Sequence, residues 1–252
     1  MAIKLILTAI IVVLSTVVFL LVQVLITLNG KELVPAPPGH APYHCGKAGP
    51  ALSFLVIGDS TAVSVGGEYD KGIAVSAAQH LGRTYQVSMV NLAVSGATVP
   101  EVCRDQLPLI RSKNPDIVLI SAGANDVTHF TTSARIRASL VKIIAVIRTK
   151  NPRAQIVVTG SPDMGSIPRF PVPLRWIAGM ETGRVNRVFA RLVADDNLIW
   201  APIARDTGKI FAQHRNYFAA DNFHPNGQGY AVWVPVINRA LDKAVAKLNQ
   251  DR

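Results

Sequence analysis

Four short stretches of this 252-residue chain hold the side chains that an acyl-transfer centre needs. They are Gly58-Asp59-Ser60, Asn91 to Gly96, Gly123-Ala124-Asn125-Asp126 and Asp221-Asn222-Phe223-His224-Pro225. A serine hydroxyl is a poor nucleophile until a base takes its proton. Histidine is the usual base near neutral pH. A carboxylate must then hold the imidazole in one tautomer and stabilise the imidazolium. Hydrogen-bond donors must face the oxyanion of the tetrahedral intermediate. Ser60 is the candidate nucleophile and His224 the candidate base. Asp221, three residues before His224, can bring its carboxylate to the same side of a tight turn. The amides of Ser60 and Gly96 and the side-chain amide of Asn125 are the candidate oxyanion donors. Gly96 suits that place because a glycine backbone can approach substrate closely. Asp59 is the rival carboxylate. It adjoins the nucleophile, so its side chain is expected to point away, and it reads as structural.

Each stretch, taken singly, also has a plain structural reading. Gly-Asp-Ser is a common turn that caps a helix, and Asn91 could satisfy backbone groups. Asp221 and His224 could be an N-cap and an exposed histidine. The positions of the elements argue for the joint reading. Strands are expected over 53–57, 86–93, 116–121, 155–160 and 197–201, as β-rich apolar runs bounded by turn residues. Helical stretches alternate with them near 71–81, 99–111, 133–149 and 181–194, and a last helix covers about 226–248. Within 133–149, Ile136, Leu140, Ile143, Ile144 and Ile147 recur at helical spacing and form a core stripe. Strands alternating with helices imply right-handed βαβ units and a parallel sheet covered on both faces. The first three stretches then follow consecutive strands and land on one edge of the sheet, where open α/β sheets bind ligands. A proline-rich connection at 161–179, with Phe170 and Trp176, leaves the same edge as a candidate binding loop.

The N-terminus is different. Residues 5–28 contain no charged side chain. As a helix they would be about 36 Å long, enough to cross an apolar layer of about 30 Å. The run exceeds the roughly 7–15 apolar residues of a signal peptide, and 27–31 makes a poor cleavage site. An uncleaved membrane anchor over 1–30 is the expectation. Lys4, the only basic side chain before it, would keep the N-terminus inside and the rest outside. Residues 31–50, rich in Pro and Gly, read as a linker. Residues 51–252 form the folded domain. The formal net charge is +10, yet no compact Lys/Arg run interleaves with aromatics, so nucleic-acid binding is not supported. Neither GxxxxGK[ST] nor GxGxxG occurs, which removes the usual nucleotide signatures. Cys45 and Cys103, the only cysteines, form no CxxC or zinc-type cluster. They are two thiols or one disulfide, and a Cys45–Cys103 bridge needs an oxidising compartment.

The four stretches, in this order, resemble the SGNH (GDSL-type) hydrolase family. Gly58-Asp59-Ser60 with Gly66, Asn91 to Gly96, Gly123 to Asp126, and Asp221 to Pro225 with Gly229-Tyr230 match its blocks. The resemblance covers the chain from about residue 53 onward. Thr61 departs from the leucine often found there. The resemblance implies a flavodoxin-like three-layer sandwich, here with a five-stranded parallel sheet of order 2-1-3-4-5. It also implies ester hydrolysis through an acyl-serine, with no metal or other cofactor. The expected substrate is a lipid ester or an O-acyl group of an envelope glycan. O-acyl transfer to a sugar with the same triad remains open, as does a non-catalytic binding module.

Overall fold

The computed structural model describes residues 1–28, 32–36, 42–47, 49–110 and 114–250. A long helix α1 (Ala2–Leu28) precedes the domain. The domain then runs β1 (Tyr43–Cys45), β2 (Ala51–Gly58), α2 (Ser60–Val63), α3 (Ile73–Leu81) and β3 (Gln86–Asn91). A helical run follows: α4 (Val99–Glu101), a π-helical turn (Val102–Gln106) and α5 (Leu107–Ile110). Next come β4 (Ile117–Ser121), α6 (Ala124–Thr128), α7 (Ser133–Lys150), β5 (Gln155–Val158) and α8 (Leu174–Asp195). The chain ends with β6 (Ile199–Trp200), α9 (Ile203–Gln213) and α10 (Gly227–Gln250).

Among the described residues the sheet has six strands in the order β1-β3-β2-β4-β5-β6, which corrects the expected five. The five expected strands are parallel and stand in the expected order, 2-1-3-4-5 when numbered among themselves. The sixth is β1, which pairs antiparallel with β3 and comes from the stretch read as linker. Three residues between prolines and glycines carry too little pattern to announce a strand. Of that linker, residues 31, 37–41 and 48 lie outside the described residues, as do 29 and 30 of the expected anchor.

Strands β2 and β4 are almost wholly buried. This explains their continuous apolar runs, since a parallel strand covered on both faces has no solvent side. Helices α3, α9 and α10 cover one face, whereas α4, α5, α7 and α8 cover the other. The stripe foreseen on α7 is buried there. The two cysteines therefore stand in different layers. Cys45 Sγ donates to the Ala78 carbonyl of α3 at 3.2 Å, while Cys103 belongs to the π-helical turn packed on α7. Both thiols are free, so of the two alternatives left open, two thiols or one bridge, the structure has two thiols, and the sheet between the layers keeps them apart.

Register brings the functional stretches together. Val56 pairs with Asn91 on one side and Leu119 on the other, and Gly58 pairs with Ser121. The chain therefore leaves β2, β3 and β4 at one level. On the β3 side Gly58 lies past the last paired residue, and its carbonyl accepts from the Val94 amide at 3.1 Å while the buried Gln106 side chain meets both of its backbone groups. Its Oε1 accepts from the Gly58 amide at 2.9 Å and its Nε2 donates to the Gly58 carbonyl at 2.8 Å. This closes the strand and satisfies both backbone groups of Gly58. Gly58 has φ +148°, and a Cβ there would lie 1.8 Å from the Ser121 carbonyl oxygen. Only glycine permits that approach.

Candidate active site

Asp59 caps α2. Its Oδ1 accepts from the Thr61 amide at 2.9 Å and the Thr61 hydroxyl at 2.7 Å, so the side chain turns away from Ser60 as expected. The Thr61 hydroxyl also meets Ser121 Oγ at 2.7 Å, and Thr159 donates to the same oxygen at 3.3 Å. Three hydroxyls and a carboxylate thus form a buried network next to Ser60, which fixes the turn carrying it. A leucine at position 61 would leave this network one partner short, which gives Thr61 a structural role here.

On the other side of the site, the Asp221 carboxylate organises its own turn. Its Oδ1 accepts from the amides of Phe223 at 2.9 Å and His224 at 3.0 Å. Its Oδ2 meets His224 Nδ1 at 2.7 Å and accepts from the Val34 amide at 3.2 Å. His224 Nε2 lies 3.2 Å from Ser60 Oγ. Asp221, His224 and Ser60 are all buried, at 1%, 6% and 4% exposure, so water competes little for these contacts. Burial pushes the Asp221 carboxyl up, but the His224 ring and the amides of Phe223, His224 and Val34 outweigh it. The carboxyl ends below its ordinary range and stays ionised. Gly66 lets the two loops meet. It has φ +89°, and a Cβ there would lie 2.5 Å from the Pro225 carbonyl and 2.9 Å from His224 Cβ.

The candidate oxyanion donors converge on one cavity. Ser60, Gly96, Asn125 and His224 all line it. The Asn125 amide donates to the Ala97 carbonyl at 3.1 Å, which fixes its orientation, and its second N–H remains available. Asn91 has the plain role among the stretches. Its Nδ2 donates to the Ala62 carbonyl at 2.9 Å and its Oδ1 accepts from the Ala93 amide at 3.1 Å. It braces α2 against the end of β3. Asp126 likewise faces inward and accepts from the Val99 amide at 2.9 Å, tying α4 to α6.

Burial, with a smaller contribution from the nearby Asp126 carboxylate, raises the Asp59 carboxyl to about 6 against the hydrogen bonds from Thr61. Burial also raises Asp126. The arrangement separates two kinds of carboxylate. Asp221 is held charged beside the histidine, and Asp59 and Asp126 are costly to ionise and serve as braces.

Sequence reasoning missed three contributors. Ser121 and Thr159 had a legible signal, as hydroxyls ending apolar strands at the functional edge. Val34 had none, because it acts through its backbone. The connection at 161–179 is shorter than expected, because α8 begins at Leu174, directly after Pro173, rather than near 181. Phe170, Leu174 and Ile177 from it line the cavity over Ser60.

A mainly parallel sheet between two helical layers, with Ser, Asp and His meeting at the carboxyl edge of its parallel strands, defines a class of serine hydrolase-like α/β domain. The sequence profile of the GDSL-like Lipase/Acylhydrolase family matches residues 56–232, and the chain belongs to that family. Among curated proteins, it is similar to the GDSL-like esterase Rv1075c of Mycobacterium tuberculosis. The two are 28% identical over 204 residues, covering 78% of this chain. The match spans 63% of the length of that relative. Among solved structures, the fold is similar to TesA, with TM-score 0.63, 20% identity, 76% of this chain and 99% of that one covered. It is also similar to a variant of Axe2, an acetyl-xylooligosaccharide esterase from Geobacillus Stearmophilus. There the TM-score is 0.60 and the identity 19%, over 76% of this chain and 94% of the other. The psychrotrophic esterase EstA from Pseudoalteromonas sp. aligns at TM-score 0.59 and 16% identity, over 77% and 98%.

Proposed function

We propose that this protein is a membrane-anchored serine esterase that hydrolyses carboxylic esters through an acyl-serine intermediate. The observation that carries the proposal is the continuous line from Asp221 Oδ2 through His224 to Ser60 Oγ, at 2.7 and 3.2 Å. In the first step the Ser60 proton passes to His224 Nε2 while Oγ bonds to the ester carbonyl carbon. The carbonyl oxygen becomes an oxyanion facing the amides of Ser60 and Gly96 and the free N–H of Asn125. The intermediate collapses, the bond to the alcohol oxygen breaks, and His224 returns its proton to that alcohol. Water then attacks the acyl-serine in the same manner, and the acid leaves. Asp221 holds the His224 Nδ1 proton throughout and stabilises the imidazolium. No step calls for a metal or a redox group.

The anchor reading rests on α1. It is 27 residues long, its apolar side chains stand exposed along most of its length, and only Lys4 is charged. Lipid is the solvent that suits such a surface. Residues 51–252 carry the catalytic parts outside the cytoplasm, and the 31–50 linker adds β1 to their sheet. The test is a panel of esters of graded acyl length beside acetylated sugars, with acids and any transferred acyl products identified. Released acid supports hydrolysis. Acyl groups recovered on an added sugar hydroxyl would replace it with transfer.

A further inference from the structure

The cavity over Ser60 has a volume of about 640 Å³ and a largely apolar wall, in the range of small-molecule sites. Its lining is unusual in one respect. Besides Phe130, Phe170 and Ile177 of the domain, it includes Val24 and Thr27 of α1 and Leu33 just beyond it. The anchor helix is thus part of the pocket wall. Along α1 the first partly buried side chains are those of residues 20, 23 and 27. They recur at helical spacing and define the face turned to the domain. Helix α1 touches α8 directly.

Length fixes where that wall stands relative to a bilayer. A hydrocarbon core of about 30 Å takes roughly 20 helical residues at about 1.5 Å each. Counted from Leu5, the first residue after Lys4, the helix leaves the hydrocarbon close to Val24, a pocket-lining residue. The pocket mouth therefore stands at the level of the lipid headgroups. Large apolar side chains stand exposed on the segments that line the pocket. Trp176 and Met180, one turn apart on α8, are 66% and 67% exposed, and Phe130 is 61% exposed. Tryptophan is enriched at membrane interfaces, where its apolar ring and polar N–H find matching surroundings.

We propose that Trp176 and Met180 insert into the leaflet around α1, and that the pocket draws a long-chain acyl ester of a membrane lipid directly from it. The inference rests on the esterase reading and names its substrate class. The reaction is the hydrolysis already described, which yields a free fatty acid and the deacylated lipid alcohol. The acyl chain lies along the apolar wall formed by α1 and α8, and the headgroup stays in water.

The full chain is reconstituted in vesicles of phosphatidylcholine and phosphatidylglycerol that contain a long-chain acyl ester. Its activity there is compared with its activity on a water-soluble acetate ester. In the Trp176→Ser/Met180→Ser variant, turnover of the acetate ester is expected to stay at wild-type level, because neither side chain lines the pocket. Release of fatty acid from the vesicles is expected to fall at least tenfold. Independently of activity, Trp fluorescence is expected to be quenched by lipids brominated near the headgroup, and Trp176→Phe is expected to remove that quenching. Wild-type release from vesicles by the double variant overturns the proposal, as does fluorescence indifferent to brominated lipid. If wild type cleaves neither ester, the esterase reading fails, and the quenching result still decides the docking.

Discussion

Asp221→Asn isolates the electrostatic part of the site with almost no change of shape. The structure dictates how the new amide must sit. The Asp221 Oδ1 accepts two backbone N–H groups, from Phe223 and His224, whereas Oδ2 accepts one, from Val34, besides the histidine. An asparagine oxygen takes the place with two backbone donors, because the reverse orientation would set its NH₂ against both. The NH₂ then faces His224 Nδ1 and the Val34 amide. His224 must accept at Nδ1, so its proton moves to Nε2 and points at Ser60 Oγ. A protonated Nε2 cannot take the serine proton. The corresponding substitution in a serine protease triad lowers kcat by about 10⁴ for this reason. That is about 5 kcal/mol of transition-state stabilisation at ~1.36 kcal/mol per decade. The Val34 amide, left facing a donor, costs a further ~1–3 kcal/mol of stability. The assay is kcat on a water-soluble ester, with thermal unfolding followed by circular dichroism to show that the fold persists. A folded Asp221→Asn variant that kept more than about a tenth of the wild-type kcat would refute the tautomer argument.

Two further outcomes are expected. Asn125→Ala removes a candidate oxyanion donor and should lower kcat by roughly 10²–10³ with a smaller change in KM, and unchanged kcat would exclude Asn125 from the site. Asp59 gives a pH signature of the opposite sign to a salt-bridged carboxylate. Its folded pKa of about 6 lies above its ordinary value of 3.8, so the native state binds the proton more tightly than the unfolded chain. Its contribution is intact below pH ~4 and is lost as pH rises through ~6, by about 3 kcal/mol in all. Asp59→Asn should lack that loss, as measured by urea unfolding at pH 4.5 and 7.5, and parallel curves for variant and wild type would contradict the burial argument.

The parts of this molecule that were legible in the sequence share a physical origin. Buried parallel strands must be continuously apolar, so β2 and β4 announce themselves. Side chains that serve a site at the sheet's carboxyl edge must follow such strands, so the candidates Ser60 and Asn125 stand beyond Gly58 and Ser121. Asp221 and His224 are readable because a three-residue spacing suits one turn. The unread parts act through backbone or through context. Strand β1 is three residues long and exists because β3 offers it an edge. Val34 contributes an amide, which every residue except proline carries. Helix α9 was missed because its buried face is Ile203, Thr207, Gly208 and Phe211, with only two large apolar side chains to mark the period. The state of the two cysteines stays open at the level of sequence because sequence distance does not reveal which face of the sheet a residue occupies.

The central claim is that Ser60 is the nucleophile activated by His224. A phosphonate ester that reacts with activated serines tests it most directly, with the modified residue located by peptide mass spectrometry. The account predicts a single adduct on Ser60 in wild type, none in Ser60→Ala, and labelling slowed by orders of magnitude in His224→Ala. An adduct on any other serine, or one that forms at wild-type rate without His224, would contradict it.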